Sequence, residues 1–278
     1  MPLPEDTGMN AVHPSEKVIQ AIEQSEIDYM TDRMNAIRER PGNPEGVEVA
    51  QFGHAVCFYS RTMPWPSFNT VKGLRNSDIE HIDDIIRFYR ERDRTPQFEV
   101  VPGLADRQVL RSLAERGLYP SGSHTSLYAQ PAAAAWEPGP ETVRIEEIGA
   151  SEFDAYAMIH CRGTGLPDDG IPHVAANNRV LHQRSGWSFY MAYCEERPAA
   201  VGVMHVKGDI ASFTFAATLP EYRRRGLQLS LLRCRLVEAA RRKCSLAVGQ
   251  CAFLSGSHRN MERAGMRIGY VRSTWTGL

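Results

Sequence analysis

The chain has 278 residues, 42% of them hydrophobic, with 32 lysines and arginines against 33 aspartates and glutamates. That length suits two domains with ordinary cores, and the near-cancelling charge argues against a protein that coats nucleic acid or anionic lipid over its whole surface. Any basic feature has to be local.

Residues 14 to 39 read as a polar, charge-rich helix opened by Pro14 and Ser15. "VEVAQFGHAVCFYS" and "SFNTVKGL" follow as strands, and "SDIEHIDDIIRFYRER" as a helix capped by Ser77. "QFEVVP" then reads as a strand, "ADRQVLRSLAERG" as a helix closed by Gly117, and "SGSHTSLYA" as a last strand. These elements make a mixed α/β unit over residues 1–130. "PAAAAWEPGP", 131–140, has neither strand nor amphipathic pattern and is bounded by prolines, so the linker is placed there.

A second unit, 141–278, opens with the strand "ETVRIEEIG" and the helices "SEFDAYAMIHCRG" and "PHVAANNRVLHQR". Then come the strands "GWSFYMAYCEE", "AAVGVMHVKG" and "DIASFTFAATLP", and a leucine-rich helix with Leu229, Leu232, Leu236 and Ala240 at helical spacing. "SLAVGQCAF", "SHRNMERAG" and "MRIGYVRSTWTG" close the chain as strand, helix and strand. The two units end alike: their last strand-helix-strand segments align without a gap when Gly117 is set on Gly265. This reads as an internal repeat, although a chance likeness of two common units gives the same order.

Six cysteines, Cys57, Cys161, Cys194, Cys234, Cys244 and Cys251, form no CxxC pair and no alternation with histidine, so they read as buried thiols of a reducing compartment and no metal is expected. The opening "MPLPEDTGMN" lacks the layout of a secretory signal, and no apolar run approaches the roughly 18 residues of a membrane helix. The expectation is a cytoplasmic protein without a membrane partner.

Three arginines, Arg223, Arg224 and Arg225, stand where the leucine-rich helix begins, although cations belong at the other end of the helix dipole. Pro220 ends the preceding strand and Gly226 lies in the tight turn, a layout that aims backbone N–H groups at one point and favours a phosphate there. A solvated basic run accounts for the same residues. A nucleic-acid surface is a third option, opposed by the lack of interleaved aromatic side chains and of any helix-turn-helix or finger pattern. There is no GxxxxGK[ST] and no GxGxxG after a strand, which excludes the common nucleotide loops.

"PEYRRRGLQLSLL" resembles the acyl-CoA signature of the GNAT N-acetyltransferases, [Q/R]xxGx[G/A] after a strand and opening a long helix. Arg223 and Gly226 match it, and Gln228 replaces its usual small residue. "SHRNMERAGM" resembles the family's late helix, and the likeness spans residues 141–278. Together with the repeat, it implies two GNAT-like lobes of the α/β (α+β) class, each a mixed, mostly antiparallel sheet flanked by helices, with an acetyl-CoA-dependent N-acetyltransferase in the second. Backbone groups near Ala217, Thr218 and Leu219 would pair with the pantetheine arm. Amides from Arg224 through Arg225, Gly226, Leu227, Gln228 and Leu229 to Ser230 would hold the pyrophosphate, and Asn260 would bond the arm. The acceptor, a primary amine of a small molecule by preference, would enter from the side of "HCRGTGLPDDGIPH".

Many members of the family place a tyrosine four residues before the late glycine, a position held here by Met261. Ser257, one turn earlier, is the alternative proton donor or water holder, although capping of its own helix explains it equally. His160 is a candidate base, against the plainer reading as a structural histidine. In the first lobe "VKGLRNSDIEH" stands at the phosphate loop, where Asp78 and Glu80 would repel a pyrophosphate and Asp83 and Asp84 follow, so that lobe reads as degenerate. The missing tyrosine keeps one rival open: a CoA-binding regulatory or interaction protein without turnover.

Overall fold

The computed structural model describes residues 14–131 and 143–277, so the linker read at 131–140 lies, beyond Pro131, outside the described residues. The chain divides into two compact units, 1–126 with 268–278, and 127–267. The second stretch of the first unit departs from the boundaries read along the sequence, because the closing strand packs with the first unit and not with the residues just before it.

In the first unit, helix α1 (Glu16–Arg38) starts at Ser15, whose hydroxyl accepts the N–H of Val18. It buries Ile22, Met30, Met34 and Ile37. Strands β1 (Val47–Phe52) and β2 (Ala55–Ser60) form a hairpin with Phe52 opposite Ala55, so the stretch read as one strand reverses at Gly53 and His54. β3 (Thr70–Lys72) leads through a 3-10 turn, Asn76–His81, into α2 (Ile82–Arg90). β4 (Gln97–Val100), α3 (Arg107–Glu115) and β5 (Tyr119–Ala129) follow. Asp106 caps α3 by accepting from the N–H of Gln108. The core gathers Val71, Leu74, Ile82, Ile85, Tyr89, Phe98, Val109 and Leu113.

The closing strand β11 (Arg267–Thr276) pairs antiparallel with β4, Ser273 opposite Val100 and Thr276 opposite Gln97. The strand order of this unit is β1-β2-β3-β4-β11-β5. Charge pins the arrangement: buried Arg272 of β11 pairs with Glu26 of α1 and with Glu99 of β4, and Lys72 of β3 pairs with both glutamates. Two cations and two anions balance. Burial would raise the Glu99 carboxyl, but Lys72 and Arg272 outweigh it and hold it below its ordinary value. Such a network contributes little net stability, yet losing one member strands a buried charge.

In the second unit β6 (Val143–Glu147) precedes α4 (Phe153–Thr164) and α5 (Ile171–His182). β7 (Trp187–Cys194), β8 (Arg197–Lys207), β9 (Ile210–Thr218), α6 (Leu227–Arg241), β10 (Leu246–Cys251) and α7 (Gly256–Arg263) complete it, in strand order β10-β9-β8-β7-β6. Alternation along β7 sorts its faces: Phe189 packs on Phe153 and Tyr156 of α4, whereas Tyr190, Ala192 and Cys194 join the core beneath α6. All six cysteines are free, and burial lifts the thiols of Cys57 and Cys251 to about 12 and about 11.

Candidate functional site

Two features of β9 open a groove in the second unit. First, β10 pairs with it in parallel only from Leu246 opposite Ile210 to Gly249 opposite Phe213, while β9 runs on to Thr218. Second, between Val203 opposite Thr214 and Val201 opposite Ala217 the register with β8 shifts, and Phe215 takes a φ of 48°. This is a bulge with its extra residue on β9, and it bends the strand. The end of β9 leans on α4 at Gly163, where a Cβ would lie 2.9 Å from the Ala217 Cβ. The groove continues as a cleft of about 780 Å³ between the end of β9, the first turn of α6 and the first turns of α7.

The turn into α6 is built to leave N–H groups unfilled. Gly226 occupies the N-cap position with a φ of 81°, which L side chains adopt at a cost, and no side chain caps the helix. The first intrahelical bond of the described turn is Ser230 N–H to Gly226 C=O, 3.0 Å. Helix geometry therefore leaves Leu227, Gln228 and Leu229 with amides directed outward, and all three residues line the cleft. Arg223 and Arg224 line it too, Arg223 donating to the Gly163 carbonyl at 2.9 Å. On the opposite wall Arg259 and Arg263 stand one turn apart on α7. No aspartate or glutamate lines this cleft.

A hydrogen-bonded trio bridges α6 and α7 across the cleft. Gln228 Nε2 donates to Ser257 Oγ at 2.9 Å, and Asn260 Nδ2 donates to Gln228 Oε1 at 3.0 Å. The residue that departs from the sequence signature thus uses its side chain to tie the two helices. Ser255, not Ser257, caps α7, accepting the His258 N–H at 3.2 Å, so capping does not explain Ser257. Its hydroxyl proton stays available in the cleft.

Of the residues singled out from the sequence, Ala217, Thr218, Arg224, Gly226, Leu227, Gln228, Leu229, Ser257 and Asn260 line the cleft, and four do not. Leu219 is buried and gives its N–H to the Ala199 carbonyl at 3.0 Å, which removes it from the strand end offered to a ligand. The Arg225 guanidinium turns to Glu195 and Cys194 and covers the Tyr222 ring. Ser230 spends its N–H inside the helix, so the row of outward amides ends one residue earlier than read. His160 stacks on Tyr156, ring centroids 5.9 Å apart, and stands outside the cleft lining.

Three side chains take places that the sequence does not announce. Met261 faces the core against Gly249 and not the cleft. The buried stripe of α6 is Leu227, Leu231, Leu232, Leu236 and Ala239, while Leu229 turns to the cleft. Arg235 shares that stripe: fully buried, it donates to the carbonyls of Leu231 at 3.0 Å and Val203 at 2.9 Å and faces the Phe213 ring. Burial lowers its pKa to about 10. Because Val203 borders the bulge, this cation supports the bend that opens the groove. The signal was an arginine at core spacing within a leucine stripe.

The first unit treats the matching turn differently. Asp78, buried in the 3-10 turn, accepts the N–H of Arg75 at 2.8 Å and the N–H of His54 at 3.0 Å, with the His54 ring Nδ1 also at 3.0 Å. Burial alone would raise its carboxyl, but these hydrogen bonds prevail and hold it below its ordinary value. Ser77, read as the cap, instead approaches the His54 ring at 3.2 Å, and the reciprocal bond at this turn belongs to Asp78.

Among the described residues no group of three histidine, cysteine or acidic side chains is arranged to hold a metal ion, and no helix is long and apolar enough to cross a membrane. No protein-family model matches the sequence, and no curated protein matches it. Solved structures do. A GCN5-related N-acetyltransferase from Kribbella flavida is 14% identical over 96% of both chains, with a TM-score of 0.68. One from Sphaerobacter thermophilus is 14% identical over 100% of this chain and 95% of its own, TM-score 0.61. A tandem GNAT protein from the clavulanic acid biosynthesis pathway is 18% identical over 69% of this chain and 66% of its own, TM-score 0.55. The chain shares the fold of these acetyltransferases: two lobes built on a mixed, mostly antiparallel sheet flanked by helices.

Proposed function

We propose that the chain is an acetyl-CoA-dependent N-acetyltransferase that acylates a primary amine of a small molecule. The observation that carries this reading is the uncapped first turn of α6, with three outward amides and two neighbouring arginines in a cleft without carboxylates. A pyrophosphate fits such a turn through its N–H groups and the helix dipole. Bound there, acetyl-CoA supplies an activated thioester. The backbone at Ala217 and Thr218, at the splayed end of β9, orients the pantetheine arm, and Asn260 offers it a polar side chain.

Alignment of the two reactants does most of the work in this account, and it can contribute about 7–11 kcal/mol. Ser257 Oγ holds the proton that the departing sulfur needs, with Gln228 fixing the hydroxyl in place by donating to its oxygen. In this reading the amine approaches from the loop between α4 and α5, and His160, outside the cleft lining, serves at most indirectly.

One observation favours a second reading, a CoA-binding protein without turnover: Met261, at the position of the expected acid, is packed in the core. Release of free CoA thiol across a panel of amines separates them. Amine-dependent release is the expected result. Acetyl-CoA binding without release supports the second reading, and absence of binding defeats both.

A further inference from the structure

Arg235 is 1% exposed within the leucine stripe of α6, and among the described residues no carboxylate pairs with it. Burial lowers its pKa to about 10, which leaves it a cation at neutral pH. The buried cations of the first unit are matched, Lys72 and Arg272 each facing Glu26 and Glu99. Sealing an uncompensated charge in a core is costly, and an apolar side chain of similar volume fills such a place at least as well. Fold stability therefore does not account for this residue.

Its contacts lead to the bulge. Nε and Nη1 donate to the carbonyls of Leu231 and Val203, and the guanidinium lies on Gly202, where a Cβ would stand 3.1 Å from Cζ. Gly202 sits between Val201 and Val203, whose partners on β9, Ala217 and Thr214, enclose the bulged residues Phe215 and Ala216. Ala216 lines the cleft, so the cation bears on the strand next to the segment that faces a ligand, one strand spacing of about 4.7–4.9 Å away. Helix α6 thus presents its uncapped first turn to the cleft and, about two turns further on, fixes the bend of β9 by way of β8. We infer that Arg235 is a positioning residue of the transfer reaction: it holds the bulge at Phe215 and Ala216, so that turnover depends on it while affinity for acetyl-CoA does not. The effect on turnover rests on the acetyltransferase reading above; the hold on the bulge does not.

Arg235→Met tests it, with amide hydrogen exchange, melting, calorimetry with acetyl-CoA and steady-state release of CoA thiol as readouts. The variant is expected to melt no lower than the wild type, since methionine fills the core without a buried charge. Exchange over residues 213–218 should accelerate by about tenfold or more while the other strands of this unit stay protected. Affinity for acetyl-CoA should stay within about twofold, and turnover should fall by about tenfold to 100-fold at constant KM for the amine, the effect of a small misplacement of the reactants. Arg235→Lys, which keeps a donor for the Val203 carbonyl, should fall between the two. Unchanged exchange at the bulge overturns the inference, as does unchanged turnover beside faster exchange. A methionine variant that melts well below the wild type, or that loses affinity and turnover together, makes Arg235 an ordinary structural residue and overturns it as well. A wild type that releases no thiol with any amine overturns the acetyltransferase reading and the role in turnover with it, while exchange still decides whether Arg235 holds the bulge.

Discussion

Thr218 to Leu227 in the second unit and Lys72 to Ile82 in the first both carry the chain from a strand into a helix, yet only the first unit supplies its own anion. There the Asp78 carboxylate accepts the N–H groups of Arg75 and His54. The other acids nearby are engaged as well, Asp83 with Arg116 and Asp84 with Arg87. In the second unit the N-cap is a glycine, no carboxylate enters, and four arginines face the space. A turn that collects N–H groups calls for negative charge. Where the chain provides it, the turn becomes structural; where the chain withholds it, the turn stays open to the anion proposed above.

The largest expected effect comes from placing a carboxylate in the second turn. Gly226→Glu should reduce acetyl-CoA affinity below detection, since open space surrounds Gly226 and the new side chain can reach the outward amides. The backbone conformation at Gly226, with its φ of 81°, adds strain of about 1–2 kcal/mol for any L residue. Gly226→Ala therefore serves as the control, less stable by that amount but still binding. A folded Gly226→Glu protein that titrates like the wild type would erase the contrast between the turns.

Opening the first turn should cost stability and gain no ligand. Asp78→Ala leaves two part-buried N–H groups without their carboxylate acceptor, a loss of about 1–3 kcal/mol. The wild type and the variant should each take up one acetyl-CoA per chain by titration; two equivalents in the wild type would show the first turn to be open. The sign of the pH effect follows from the direction of the Asp78 shift. Its pKa is lowered on folding, so its contribution is complete above the ordinary carboxylate range and fades as pH falls through the depressed folded value. Denaturant unfolding of the wild type should therefore weaken on that acid limb, and the variant should lack this part of the slope.

The smallest effects separate two serines of the cleft. Ser257→Ala should slow turnover by about tenfold, less than the roughly 100-fold or more of a dedicated general acid because alignment carries most of the rate in this reading, with little change in melting or in acetyl-CoA affinity. Ser255→Ala should do the reverse, losing about 0.5–2 kcal/mol of stability with its helix cap while turnover holds. Unchanged turnover in the Ser257 variant would discard it as proton donor.

Local rules made the elements of the second unit readable: alternating strands, the proline and glycine of the turn, and arginines at the wrong end of a helix. The hairpin at Gly53 and His54 escaped because the alternation of β1 continues into β2 across a two-residue reversal. The role of Asp78 escaped because one of its donors is His54, distant in sequence. The same holds for the site. Gln228 looked like a departure from a signature until the fold set Ser257 and Asn260 beside it.

Composition and periodicity determined the number of lobes, the order of elements in the second of them and the location of the glycine turn into α6, because each depends on residues a few positions apart. Sequence order assigned β11, the last strand read for the second unit, to the lobe whose residues precede it. Tertiary structure decided otherwise. Arg272 finds its counter-charges on Glu26 of α1 and Glu99 of β4, and this buried guanidinium is stabilised by carboxylates that lie far along the chain, which sequence order does not bring together.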